Sequence, residues 1–63
     1  MTDQQLRDAG LTDRQRQIWR HYEQGHSERT IALALGLSRT TVRDHLEAAT
    51  RRLHNHTRQE TNQ

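Results

Sequence analysis

The fold is decided by residues 31–46, IALALGLSRTTVRDHL, in which one glycine separates two apolar patterns. Before Gly36 the apolar residues recur at helical spacing, and after it Ser38 can cap a second helix. Glycine readily takes the left-handed conformation that ends a helix in a tight turn. The stretch therefore predicts a helix-turn-helix, whose second helix presents its polar side outward.

The second helix of this pair has a regular apolar stripe. Its apolar residues follow at spacings of four, three and four: Val42, Leu46, Ala49 and Leu53. This stripe predicts a helix over about residues 39–53. Residues 54–63 contain no apolar side chain, so we expect a polar, flexible tail there.

Two further helices are predicted upstream. Each begins with a threonine followed three residues later by a glutamine, the form of a capping box: Thr2 with Gln5 and Thr12 with Gln15. The first segment has little besides Leu6 to bury, which predicts a short, weakly held helix. The second carries Ile18, Trp19 and Tyr22 on one side, and we assign these to the core rather than to base stacking.

The composition allows one small domain. The chain has 63 residues, of which 29% are apolar, and no strand pattern occurs. We therefore predict an all-α fold, a three- to four-helix bundle containing the helix-turn-helix. Residues 1–10 would form a short N-terminal helix, residues 11–53 the helix-turn-helix domain and residues 54–63 the tail.

The same composition argues against several classes of protein. An enzyme needs pocket walls that so few apolar residues cannot build, and no catalytic residue or cofactor is expected. Cysteine is absent, which excludes disulfides and thiolate metal sites. The five histidines lack the spacing of a zinc pair, so no metal is expected. The longest apolar run, residues 31–35, is too short for a membrane span.

The charge is unevenly distributed along the chain. All ten basic residues are arginines, and the formal net charge is +2. Residues 1–28 hold four arginines against five acids, whereas residues 29–63 hold six against three. A basic second half favours a polyanionic partner, and arginine can fork onto a phosphate or a guanine edge.

Residues 11–53 resemble the LuxR-type helix-turn-helix domain and the similar region four of bacterial sigma factors. The matching pieces occur in order and without gaps: LTDRQ at 11–15, IW at 18–19, GHS at 25–27, IA at 31–32, LGLS at 35–38, TVR at 41–43, HL at 45–46 and RRL at 51–53. The chain departs from the family at Gln15, usually Glu, and at Leu33 and Ala34, usually polar. The family also adds a fourth helix for dimerisation, where this chain has the polar tail.

The resemblance implies double-stranded DNA as the partner, with the last long helix in the major groove. Base contacts fall to the residues after the Thr-Val pair: Arg43, Asp44 and Glu47. Phosphate contacts fall to the helix starts: Ser27, Ser38, Arg39, Thr40 and Thr41. An arginine can fork onto guanine, and a carboxylate can accept from a cytosine amine. The alternative for these charges is surface pairing of Arg43 with Glu47 and of Glu47 with Arg51, each four residues apart.

The sequence allows more than one role for a few residues. Arg51 and Arg52 are predicted to contact phosphate, although a solvated helix end also accounts for them. Leu33 points away from the buried side of its helix and lies beside Ala34. It can pack against Leu6, form a homodimer contact with Ala34, or do neither. His45 is expected to be half-buried.

These observations predict a small stand-alone transcription regulator that binds specific sites in double-stranded DNA. One recognition helix covers only a few base pairs, so we expect a homodimer on two half-sites. The expected location is the cytoplasm, on the nucleoid. Two alternatives stay open: the DNA-binding end of a recombinase or transposase, and a protein-interaction module like sigma region four that holds RNA polymerase or a regulator protein.

Overall fold

The computed structural model of the chain describes residues 1–61, with side chains described as far as residue 56. Over this range it contains four helices and no strand: α1 (Asp3–Asp8), α2 (Asp13–Glu23), α3 (Glu28–Leu35) and α4 (Arg39–Thr61). The predicted all-α class is confirmed. Within residues 1–61, none of these helices has the length and apolar character needed to cross a membrane.

Both predicted capping boxes are present. The Gln5 backbone N–H donates to Thr2 Oγ1 at 3.2 Å, and the Thr2 N–H donates to Gln5 Oε1 at 2.8 Å. Thr12 and Gln15 make the same pair of bonds at 3.2 and 3.0 Å. Each box satisfies two backbone donors at a helix start, so local sequence determines where α1 and α2 begin.

The core lies along one side of α4 and consists of two clusters. The first joins the N-terminal half of α4 to α2 and α3 through Ile18, Ile31, Ala32, Val42 and Leu46. The second covers the following turns of α4 with Leu6, Leu11, Ala49 and Leu53. Trp19 packs against both clusters. Since Leu6 is fully buried, α1 closes the second cluster and is more firmly held than its sequence predicted.

The length of α4 differs from the prediction. The helix was expected to end near Leu53, but it continues to Thr61, so that boundary is wrong. Neither glycine nor proline occurs after Leu53, and extending a formed helix costs far less than starting one. Flexibility of the tail stays a prediction, and its last two residues, 62–63, lie outside the described part.

Two exposed side chains correct further expectations. Tyr22 is 51% exposed, so its assignment to the core is wrong, although its ring lies 5.3 Å from that of the partly buried Trp19. Leu33 is 76% exposed, whereas Leu6 is buried against Leu11 and α4. Packing of Leu33 against Leu6 is therefore excluded, which leaves Leu33 available on the surface.

Candidate nucleic-acid interface

The predicted corner between α3 and α4 is present. Gly36 takes the left-handed conformation, with φ 67° and ψ 35°. The N–H of Leu37 donates to the carbonyl of Ala32 at 2.9 Å, which closes the last turn of α3. Buried Ala32 and half-buried Leu37 pack in the same core cluster. Backbone bonding and packing therefore fix the direction in which α4 leaves the corner.

The two helices of the corner begin with the same serine cap. Ser38 Oγ accepts from the Thr41 N–H at 3.1 Å and donates to Thr41 Oγ1 at 2.8 Å. Ser27 makes the corresponding bonds to Thr30 at 3.2 and 3.1 Å. Both serines are exposed. Each cap satisfies one backbone donor. The remaining first-turn N–H groups lie at the positive end of the helix dipole and can donate to a bound anion.

The outward side of α4 carries the predicted base-contacting residues. Arg43, Asp44 and Glu47 are all exposed, opposite or beside the buried stripe. Arg43 and Glu47 share a shallow depression of about 260 Å³. Its other lining residues are Tyr22, Glu28, Leu46 and Thr50. Asp44 is not among them, so it projects from a different part of the surface.

Arg43 has an intramolecular partner that the sequence did not indicate. Its Nη2 donates to Glu28 Oε1 at 3.2 Å. The hydrogen bond and charge of Glu28 raise the pKa of Arg43, and the charges of Glu47 and Asp44 add to the effect. Within the described residues neither predicted surface pair, Arg43 with Glu47 or Glu47 with Arg51, is formed. Arg43 is thus a permanent cation held toward the start of α3.

The first two helices neutralise their own arginines. Asp3 forms ion pairs with Arg7, Arg16 and Arg20, the first two at 2.9 and 3.2 Å. Desolvation alone would raise the pKa of Asp3, but the hydrogen bond and charge of Arg20, with the charges of Arg7 and Arg16, outweigh it and lower the pKa. Together α1 and α2 hold four acids and four arginines, so this side of the molecule has little uncompensated charge.

The remaining arginines divide between bonded and free. Arg14 donates to Gln17, and Arg52 donates to the carbonyl of Gly10. Of the nine arginines with described side chains, three make no hydrogen bond or ion pair: Arg29, Arg39 and Arg51. All three lie on α3 or α4, so the described guanidinium groups without a bonding partner lie on the two helices of the corner.

Arg52 is placed differently from the other predicted phosphate-contacting residues. It follows Arg43 by nine positions, which turns its side chain about 180° around the helix. Its contact with Gly10 ties α4 to the loop that joins α1 and α2. This placement gives Arg52 a structural role, and we leave it out of the proposed interface.

Arg29 is a candidate that the sequence reasoning missed. It lines a surface depression of about 420 Å³ together with Arg39 and three apolar residues, Ala32, Leu33 and Leu37. The available signal was its position two residues after the Ser27 cap, in the first turn of α3. Ala34 is exposed nearby in sequence but does not line this depression. The structure thus brings two free arginines together at the corner.

The histidines form one close pair. His21 Nδ1 and His26 Nδ1 lie 3.2 Å apart, with ring centroids 5.4 Å apart. In the described part of the chain, no three histidine, aspartate or glutamate side chains gather in a way that could hold a metal ion. His45 is half-buried, as predicted.

Comparison with known proteins gives one match. The family model for bacterial regulatory proteins of the luxR family matches residues 9–62, which is most of the chain and includes the whole corner. Neither a curated protein nor a solved structure matches the chain significantly.

Proposed function

The chain belongs to the luxR family of bacterial regulatory proteins, and we propose that it is a stand-alone transcription regulator that reads specific DNA sites through α4. Membership makes it a DNA-binding regulator. The observation that carries the finer proposal is the location of the three described arginines that lack a hydrogen bond or ion pair, which all lie on the helix-turn-helix pair. The proposed location is the nucleoid in the cytoplasm, where its DNA target lies.

Phosphate contacts would set the position of the protein on the duplex. Arg29 and Arg39 line one depression, and the serine caps start the two helices beside them. A phosphate can therefore meet a free guanidinium and first-turn amides of a helix together. Thr40, Thr41 and Arg51 extend this row of proposed contacts along the first half of α4.

Base reading would follow from the same placement. Arg43, at 63% side-chain exposure, can direct two parallel donors at a guanine edge in the major groove. Asp44 and Glu47 project from neighbouring positions on the outward side, where a carboxylate can accept from a cytosine amine. The phosphates of DNA repel these acids, so the acids favour binding only where the sequence supplies a base that donates to them.

The exposed Leu33 favours a protein-binding surface that adjoins the depression of Arg29 and Arg39, since Leu33 also lines that depression. A leucine that is 76% exposed beside exposed Ala34 gives α3 a small apolar patch away from the core. We propose that this patch forms a homodimer contact, which would place two recognition helices on two half-sites. Sedimentation of wild-type protein and Leu33→Asp tests this. A dimer lost in the variant supports it, whereas a dimer unchanged by the variant overturns the homodimer contact and leaves RNA polymerase or a regulator protein as the alternative partner of the patch.

The decisive experiment is a selection of bound sites from random duplexes, followed by binding measurements on the preferred site. We expect Arg43→Ala to cost about 1–3 kcal/mol on that site and to flatten discrimination at one base pair. Arg14→Ala is the control, because it also removes one exposed arginine, but from α2 rather than from the recognition helix. Equal site preference in wild-type protein and Arg43→Ala would contradict base reading by α4.

A further inference from the structure

We propose that Glu28 is a specificity-determining positioning residue, which holds the Arg43 guanidinium ready for a guanine edge. The inference rests on the proposed function and adds a residue outside the recognition helix. Glu28 stands in the first turn of α3 and Arg43 in the second turn of α4. Their contact at 3.2 Å is an ion pair that joins α3 to α4.

The donor inventory shows that Glu28 can hold Arg43 without occupying it. A guanidinium has five N–H donors in a planar fork, and the structure uses one of them, on Nη2, for Glu28 Oε1. A bidentate contact with guanine O6 and N7 needs two more. Four donors stay open, so holding by Glu28 and reading of guanine are compatible in one geometry.

The surroundings restrict Arg43 further. The depression that it shares with Glu28 has walls from α2 and α4, with Tyr22 on one side and Glu47 and Thr50 on the other. A freely rotating arginine would donate its hydrogen bonds to any nearby phosphate instead of to a base. An arginine tied to a carboxylate loses that freedom before binding, and the carboxylate also repels phosphate. Discrimination between bases should therefore depend on Glu28, whereas general DNA affinity should not require it.

The test compares Glu28→Gln with the matched control Glu23→Gln. Glu23 also contributes one exposed carboxylate, but its partner is the N-terminal ammonium at 2.9 Å. Both variants remove one negative charge, so general electrostatics change DNA affinity alike. We expect Glu28→Gln to lower discrimination about threefold to fivefold at the single base pair read by Arg43, the upper part of the range for an exposed ion pair. Glu23→Gln should leave discrimination unchanged.

A double-mutant cycle separates positioning from a structural effect. In the Arg43→Ala background, Glu28→Gln should change discrimination no further, because the group it positions is gone. Melting temperatures identify any variant that does not fold. If Glu28→Gln does not fold, Glu28→Asp takes its place in the test, because the shorter side chain withdraws the carboxylate by one methylene. The same loss of discrimination is expected for it.

Three results would overturn the inference. They are wild-type discrimination in Glu28→Gln, an equal loss at every base pair, and an effect that persists without Arg43. Failure of the proposed function looks different, because the wild-type protein itself would then select no site from random duplexes. A wild-type preference for guanine that Glu28→Gln leaves intact would remove only the role of Glu28.

Discussion

Substitution of Arg39 by glutamine tests whether free arginines at the corner neutralise DNA phosphates. Arg39 begins α4, is exposed, and has no hydrogen bond or ion pair in the structure. Its loss therefore breaks no intramolecular contact, and the side chain that replaces it has similar length and no charge. Any change in DNA binding then reports the lost charge rather than a rearranged fold.

The expected salt dependence of DNA binding follows from the number of free arginines. Arg29, Arg39 and Arg51 give about three neutralised phosphates per protomer, and each contributes about −0.9 to the slope of log K against log salt concentration. On a duplex with a single half-site, which one protomer contacts, the wild-type slope should be about −2.7, so affinity falls about 40-fold between roughly 50 and 200 mM salt. With Arg39→Gln the slope should be about −1.8, and the same change in salt should cost about 12-fold.

Fluorescence anisotropy on a labelled duplex, titrated at several salt concentrations, measures both slopes. Arg14→Gln serves as the control, since Arg14 is exposed at the start of α2 and is bonded to the neutral Gln17. Its slope should equal that of the wild-type protein. The reasoning fails if Arg39→Gln keeps the wild-type slope, or if Arg14→Gln lowers the slope equally, because position would then not matter.

Three further predictions concern the fold that supports this surface. Gly36→Ala should cost about 1–2 kcal/mol, because a side chain disfavours the left-handed conformation although no atom lies near the added Cβ; a melting temperature lowered by less than about 4 °C would contradict this. Leu6→Ala should cost about 2–5 kcal/mol and release α1, which denaturant unfolding measures; a loss under about 1 kcal/mol would contradict its place in the core. The lowered pKa of Asp3 predicts stability that is present at neutral pH and lost as pH falls through that pKa. Asp3→Asn should flatten this acid dependence in thermal melts, and an unchanged profile would contradict it.

The parts of the fold that the sequence predicted well are those determined by near neighbours. A capping box involves residues three apart, and the turn at Gly36 needs one residue that tolerates positive φ. The apolar stripe of α4 repeats at a fixed spacing, so its buried side was also readable. These features depend on local geometry that every helix shares.

The parts that sequence reasoning missed depend on distances across the fold. Glu28 is 15 positions from Arg43, and Arg52 is 42 positions from Gly10. No periodicity links such pairs, because the crossing of helices decides which side chains meet. The predicted end of α4 near Leu53 was wrong for another reason. The residues after it lack apolar character, but nothing in their sequence stops a helix that the core has already formed.

The pairing of the arginines explains why a net charge of only +2 is compatible with a nucleic-acid interface. Helices α1 and α2 hold four acids and four arginines, and Asp3 pairs with three of those arginines, so those charges produce little field at a distance. The free arginines stand on α3 and α4, next to two serine-capped helix starts whose dipoles have the same sign. A duplex that approaches the corner therefore meets more positive potential than the net charge indicates. The neighbouring acids offset this advantage only in part. Glu28 of α3 is already paired with Arg43, and the two acids on the outward side of α4, Asp44 and Glu47, disfavour sequences that offer them no donor.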